Sequence, residues 1–486
     1  MLHSEKVRDT TAQIRELQEQ LKARDEFVAA LQVQLAAVVA ENERLRELVA
    51  ELQERLGQDS TNSGKPPSSD PPGSRTKDKS KKRSKKRSKR KRGGQPGHRG
   101  THRVLLPPDQ VDHIEDLYPK QCENCWANLP EIPDDNPQRY QVTEIPPVKP
   151  QTNEYRAHAV TCGCGHCTRA KVPDHVRASS FGPRLTSIIV MLTGVFHLSR
   201  RQAAVAICDF FGVKISLGAI SALENRVSKA LLAAANQAWE KVQQAQVKHA
   251  DGTSWRQSGR ALQLWTIATK AVTVFKVLAD GTTQSLKSLL GQMKGVLVSD
   301  RAAALNFWAM DQRQICWSHL LRRYIAFSER DGPAGDYGRV LLDYTGILFD
   351  YYHAYKDGKI SWATLRHRTA PLRLQVEQVL ESAAQAKIKR LSGSCKNILA
   401  HQQALWTFLD NPQVEPTNNH AERELRRFVL WRKSSFGTQS ERGNRFAERI
   451  MTVVHTTRKQ NKPTLGYLTA VCEADRFGQP IPLLIA

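Results

Sequence analysis

The sequence lacks any long apolar run: no stretch approaches the roughly 18 residues a helix needs to cross a bilayer. The charged opening Met1-Leu2-His3-Ser4-Glu5-Lys6 does not read as a secretory leader either, so no membrane role is expected. Acids are in short supply, 48 Asp and Glu against 72 Lys and Arg, a formal charge of +24. Such an excess predicts a polyanionic partner, because each phosphate contact releases condensed counterions. Disulfide-type cysteine usage is missing too. The nine cysteines are odd in number and five fall between 122 and 167, a metal-like cluster rather than the spread framework of a secreted chain. These absences leave an intracellular, nucleic-acid-binding protein, cytoplasmic in location, with length for roughly two to four domains.

What is present divides the chain by composition. Residues 1–57 read as a coiled coil: Ile14, Leu21, Val28, Leu35, Asn42, Val49 and Leu56 take position a, and Leu17, Arg24, Leu31, Val38, Leu45 and Leu52 take position d. A buried Asn42 at position a favours a parallel pair, so a homo-oligomer, at least a dimer, is expected. Residues 58–100 form a linker. Within it Arg75 to Arg92 holds thirteen Lys or Arg and one acid, Asp78. No core can bury that many charges, so Lys81, Lys82, Arg83, Lys85, Lys86, Arg87, Lys89, Arg90, Lys91 and Arg92 are expected to bind phosphates without reading bases.

Residues 101–178 alternate short strand-like pieces with turns, punctuated by Cys122-x2-Cys125 and Cys162-x-Cys164-x2-Cys167. Two knuckles around a β-rich stretch describe a zinc ribbon in which four of these five thiolates complete a tetrahedron. Spacing favours Cys167 as the fourth ligand, the Cys-x-Cys-Gly form favours Cys162, and the choice stays open. Residues 179–243 turn helical. Leu185 to Leu198, Arg200 to Phe211 and Ser216 to Leu231, broken at Gly212, fit a helix-turn-helix whose later helix could enter a major groove.

From 244 to 430 the period changes. Strands are expected at Val247 to Asp251, Leu262 to Ala268, Val272 to Leu278, Gly295 to Asp300 and Arg313 to Trp317, with a helix from Gln284 to Met293. Residues 327 to about 410 read as a helical insertion before the stretch Asn418-Asn419-His420-Ala421-Glu422-Arg423. There two asparagines offer N-cap oxygens and Glu422 lies in the first helical turn among Arg423, Arg426 and Arg427. If the sheet is ribonuclease H-like, strand-terminal Asp251 and Asp300 meet helical Glu422 at one sheet edge. Three clustered carboxylates repel one another unless divalent cations neutralise them. Two Mg²⁺ (or Mn²⁺) ions, about 4 Å apart, suit that role and phosphoryl transfer. Residues 431–486 read as a basic C-terminal helical region; Arg432 and Lys433, with Trp431 and Phe436 interleaved, suit contact with DNA.

In order along the chain, the chain resembles transposases of the insertion sequence 66 family, bacterial DDE transposases. The matching stretches are Asn62-Ser63-Gly64-Lys65-Pro66-Pro67-Ser68-Ser69-Asp70, Gly94-Gln95-Pro96-Gly97-His98-Arg99-Gly100, the cysteine knuckles and His249-Ala250-Asp251-Gly252-Thr253-Ser254-Trp255-Arg256. Val298-Ser299-Asp300-Arg301, Cys316-Trp317-Ser318-His319 and Asn418-Asn419-His420-Ala421-Glu422-Arg423 complete the set. The resemblance implies Asp251, Asp300 and Glu422 as catalytic acids, and a supporting His319 that contacts DNA or orients an acid. It implies a multidomain α+β chain: leucine-zipper-like N-terminus, zinc module, helix-turn-helix and ribonuclease H-like core with a helical insertion. Its expected partners are double-stranded DNA, as terminal inverted repeats and target, and accessory proteins encoded by the same element, in a bacterial, nucleoid-associated setting. Many relatives carry Glu where this chain has Gly252. The expected activity is metal-dependent strand cleavage and strand transfer; the rivals are an inactive DNA-binding regulator and a metal-dependent nuclease that does not join.

Overall fold

The computed structural model describes residues 2–63 and 103–485. The basic run from Lys81 to Arg92, the Gly94 to Gly100 stretch and residues 64–70 lie outside the described residues. In chain order the elements are α1 (Leu2–Leu56), β1 (Ala159–Thr161), β2 (Cys167–Arg169), α2 (Asp174–Arg177), α3 (Pro183–Gly194), α4 (Arg200–Phe211), α5 (Leu217–Ala230) and α6 (Leu232–Gln244). They continue with β3 (Val247–Gln257), β4 (Arg260–Ala268), β5 (Thr273–Leu278), α7 (Thr283–Leu290), β6 (Val296–Ser299), β7 (Arg313–Ile315) and α8 (Trp317–Ser328). Then follow α9 (Pro333–Lys356), α10 (Trp362–Gln385), α11 (Ser392–Leu399), α12 (Gln402–Leu405), α13 (Thr407–Asp410), α14 (Asn419–Ser435), α15 (Glu441–Lys459) and α16 (Thr464–Phe477). They group into two compact units: residues 1–74, 241–255 and 261–429, and residues 75–240, 256–260 and 430–486.

The first unit is built on a mixed five-stranded sheet in the order β5-β4-β3-β6-β7. β4 and β5 are antiparallel, whereas β3 pairs parallel with β6 and β6 parallel with β7. β6 reads Val-Leu-Val-Ser without alternation because, as a central parallel strand, it is buried on both faces. Two boundaries differ from the sequence expectation. β3 does not stop at Asp251 but runs on to Gln257, and β7 stops at Ile315 because Trp317 already begins α8.

The expected insertion is helical, α9 to α13, and has its own core around Trp317, Tyr324, Leu341, Leu348, Leu380, Trp406 and Phe408. Trp317 ties that core to the sheet: its indole Nε1 donates to Leu405 O at 2.8 Å, and its ring meets Trp406 at 5.1 Å. α1 is one continuous helix whose heptad residues Leu21, Leu31, Leu35, Leu45 and Leu52 are exposed. Its end is held by Arg390, which pairs with Glu51 and Glu54 at 2.7 Å each.

In the second unit, residues 103–178 carry far less strand than their composition suggests: the β1–β2 hairpin and an isolated bridge between Gln121 and Asn128. Helices α3 to α5 enclose a small core of Ile189, Ala203, Ile207, Ile220 and Leu223. Their ends follow local rules. Ser199 and Gln202 form a capping box, Gly212 closes α4 in the left-handed conformation, and Ser216 Oγ accepts from Ala219 N. The helix expected to reach Leu198 ends at Gly194, where Ile450 and Phe446 press so closely that a Cβ would sit 3.0 Å from each. Among the described residues no helix is long and apolar enough to cross a membrane.

Candidate active site

Three elements of the first unit bring the expected acids within electrostatic reach of one another, although their oxygens do not all lie within 4.8 Å. Parallel pairing of β3 with β6 ends at His249 opposite Val298, so Asp251 lies two residues beyond the covered part of β3. Asp300 directly follows β6. Its carboxylate Oδ1 accepts from Ala302 N at 3.0 Å, a local turn that fixes the side chain. Glu422 is the fourth residue of α14. The buried stripe Ala421, Leu425 and Phe428 seats that helix, with Phe428 against Trp255 and Phe275 at 5.4 and 4.7 Å between ring centres. Arg423, Arg426 and Arg427 consequently face outward.

Asn418 fixes where α14 begins, and not in the expected way. Fully buried, it turns Nδ2 to Ala250 O at 2.8 Å, next to Asp251, while its own backbone N–H donates to Cys316 Sγ at 3.1 Å. Its Oδ1 has no hydrogen-bond partner and caps nothing. Asn419 Oδ1 likewise turns to Ser318 Oγ, at 3.2 Å. The asparagine pair therefore docks the helix on its neighbours rather than capping it.

The charges at this site are frustrated. Burial, then the Asp300 and Glu422 carboxylates, push Asp251 up to about 8. Glu422 Oε1 is buried without accepting a hydrogen bond; His319 Nδ1 and Arg322 Nη2 are each 3.7 Å away. Burial, then the Arg322 charge, hold His319 below the usual imidazole range, so it is neutral at pH 7 and its Nδ1 is also an orphan. An acid repelled by two others and an orphaned carboxylate oxygen are the marks of a site that fits a cation. Hard oxygen donors suit Mg²⁺ or Mn²⁺, and Asp251, Asp300 and Glu422 would hold it.

His319, expected to contact DNA or orient an acid, stands in a further grouping. Cys316 Sγ, a His319 ring nitrogen and a Glu422 oxygen fall within 4.8 Å of one another, the one such His/Cys/acid cluster among the described residues. Cys316 suits a hard cation poorly: burial pushes its thiol up, and its sulfur already accepts the Asn418 N–H. Sequence reasoning missed Arg313. This fully buried guanidinium donates to Asp300 O at 2.9 Å, to Leu305 O at 3.2 Å and to Asn306 Oδ1 at 3.1 Å, and so holds the loop that carries Asp300. The available signal was an arginine at the head of a buried strand, where a charge always needs partners.

The remaining candidates lie in the second unit. Cys122 and Cys162 are each held below the usual thiol range by backbone N–H donors, of Cys125 and Asn124 for the first and chiefly of Cys164 for the second. Cys167 begins β2. No three of the five sulfurs come within 4.8 Å of one another. Lys433 is exposed and Arg432 half-buried. Trp431, expected to face DNA, is instead buried and stacks on His197 at 4.7 Å.

No curated protein matches this chain. Residues 2–104 match a family of unknown function (DUF6444), and residues 178–445 match the family model described as Transposase IS66 family. That second match takes in more than half of the chain, including both sheet strands that lead to acids and the start of α14, and on it the chain belongs to the IS66 family of transposases.

Proposed function

We propose that the chain is a DNA transposase that cuts and joins DNA strands at the ends of a bacterial insertion sequence, using Asp251, Asp300 and Glu422 on a ribonuclease H-like core. The observation that carries this reading is the convergence of the three acids on one end of the parallel strands, with Asp251 driven up to about 8 by burial and its two neighbours. The sheet order β5-β4-β3-β6-β7, with β4 and β5 antiparallel and β3, β6 and β7 parallel, supports the core assignment. Divalent cations bound there would supply the charge that activates an attacking oxygen and stabilises the leaving one.

The chain's own groups do the rest. Asp251 presents a hard oxygen from within β3 and Asp300 from the loop directly after β6, Glu422 completes the set from a helix docked by Asn418, and Arg322 places a positive charge beside Glu422. In cleavage, water oxygen bonds to phosphorus and the P–O3′ bond breaks, leaving a 3′-hydroxyl. In joining, that hydroxyl attacks a target phosphodiester, so one P–O bond forms as another breaks. The helices α3 to α5 and a zinc module of Cys122, Cys125, Cys164 and either Cys162 or Cys167 would hold terminal inverted repeats. Lys81 to Arg92 would add affinity without sequence preference, and α1 would pair two protomers through its exposed heptad seam.

The test is strand transfer on labelled terminal-repeat DNA with Mg²⁺, comparing wild type with Glu422→Gln. Gln keeps the shape and removes the charge. The expected result is joined product from wild type, with the variant binding DNA but giving at least a hundred-fold less product. Equal activity in both refutes the assignment of Glu422; nicked but never joined product favours the nuclease reading.

A further inference from the structure

The turn joining α14 to α15 carries a phenylalanine that packing does not explain. Phe436 is 77% exposed and holds φ of +58°, a left-handed conformation that L-residues avoid. A lone exposed aromatic is ordinary. One fixed in an unfavourable backbone conformation from both sides is not. Phe436 N donates to Arg432 O at 2.8 Å, and Ser435 Oγ donates to Gly437 O at 3.1 Å. Beyond it, Thr438 N donates to Arg256 O at 2.9 Å, and Ser258 N returns a bond to Thr438 O at 2.8 Å. Gly437 lies so close to the strand turn of residues 256–260 that a Cβ there would meet Arg256 O at 2.1 Å. The loop is clamped to that turn, and Phe436 stands out from a rigid base.

The base is cationic. Arg256 and Arg260 flank the Ser258-Gly259 turn, Lys433 and Arg442 flank the phenylalanine loop, and all four are exposed. Burial, then the Arg256 charge, pull Arg432 below the ordinary guanidinium value, so two cations press on one another here. The neighbouring carboxylate Glu441 is paired with Arg445 at 2.8 Å. Cations crowded around a rigid exposed ring suit a polyanion that also offers a π-face.

We propose that Phe436 is a stacking wedge that takes an unpaired base of DNA, with Arg256, Arg260 and Lys433 on the flanking phosphates. This rests on the transposase reading and deepens it: the site would recognise frayed or distorted DNA at an element end. Stacking on an aromatic is tolerant of base identity, so Phe436 acts on structure rather than sequence.

The experiment uses the full chain without divalent metal, so that the chemistry is silent, at about 100 mM salt. Two oligonucleotides of one sequence carry 2-aminopurine at the same position, either paired within a duplex or unpaired in a short single-stranded end. Wild type is expected to bind the unpaired form more tightly and quench its fluorescence. Phe436→Ala should lose about ten-fold in affinity for that form and most of the quench, with the paired form changed less than two-fold. Phe436→Trp should keep both, and unchanged thermal melting of each variant excludes misfolding. Equal binding and quench by wild type and Phe436→Ala overturn the wedge while leaving the transposase reading intact. If wild type binds neither DNA, both readings fall; a preference for RNA of the same sequence overturns the DNA assignment.

Discussion

If Asp251 holds a proton at neutral pH, cation binding at the acid cluster must expel it, and the consequence can be measured. Burial and two neighbouring carboxylates move this group from 3.8 to about 8. At pH 7 about nine molecules in ten are then protonated there, and each unit of pH below about 8 costs about ten-fold in apparent cation affinity. Affinity for Mn²⁺ should therefore rise about ten-fold from pH 6 to 7, rise less from 7 to 8, and level off above 8. The sign for stability follows from linkage. A carboxylate whose folded value is raised keeps its proton in the folded state, so its stabilising contribution is full below about pH 4. It is lost progressively as pH rises through about 8 in the cation-free protein. The same shift sets the size of the loss: about four pH units at about 1.4 kcal/mol each, on the order of 6 kcal/mol. Calorimetric Mn²⁺ titrations in two buffers of different ionisation enthalpy, at pH 6, 7, 8 and 9, read the released proton directly. Denaturant melts of wild type and Asp251→Asn over the same range isolate the stability term, because Asn removes the titrating charge. A cation affinity flat from pH 6 to 9, or identical pH slopes in wild type and Asp251→Asn, would refute the reasoning.

Two further outcomes depend on packing around the same acids. Asn418→Ala should cost about 1–3 kcal/mol in urea denaturation, because it strips the buried Ala250 carbonyl of its donor; an unchanged midpoint would show that the helix docks by other means. Gly252→Ala should cost about 1–3 kcal/mol by overpacking, since the new Cβ would meet the Trp265 ring at 2.8 Å. In a Trp265→Leu background the same Gly252→Ala change should cost less than half as much, and an undiminished cost there would locate the strain elsewhere.

Much of this architecture could be read before any coordinates, and the misses have identifiable causes. β6 was legible because Val296-Leu297-Val298 is a short apolar run closed by Ser299-Asp300, as a buried parallel strand must be. α4 and α5 were legible from Gly212 and Ser216, whose local chemistry bounds helices whatever the tertiary context. The extension of β3 was missed because Gly252-Thr253-Ser254 looks like a turn. The true turn is at Ser258-Gly259, both with positive φ, and the fully buried Trp255 between them is a core residue of the strand. Trp431 was misread for the opposite reason: charged neighbours suggest exposure, yet helical spacing carries it on from Phe428 to the apolar face. The first miss was decided by a tertiary contact that no local pattern encodes; the second was available in the helical period and hidden by the charges around it.

The same distinction explains why Cys316 is better understood as a junction than as a ligand. The three acids are far apart in the chain, and Asp300 is separated from Glu422 by the whole helical insertion. Yet a continuous set of hydrogen bonds joins their supports: Cys316 N donates to Ser299 O at 2.8 Å, Asn418 N donates to Cys316 Sγ at 3.1 Å, and Asn418 Nδ2 donates to Ala250 O at 2.8 Å. Each of the outer partners is adjacent to an acid, Ser299 to Asp300 and Ala250 to Asp251, while Asn418 leads into the turn that holds Glu422. The insertion leaves and rejoins this junction at one point, where Trp317 N donates to Pro416 O at 2.9 Å. With its ends pinned there, the length of the inserted chain has little leverage on Glu422, because closure entropy grows only slowly with loop length. The small, weakly polar sulfur accepts one N–H without bringing a fourth charge into a site that already carries three acids. That is a structural reason for a cysteine, and it requires no metal at the sulfur.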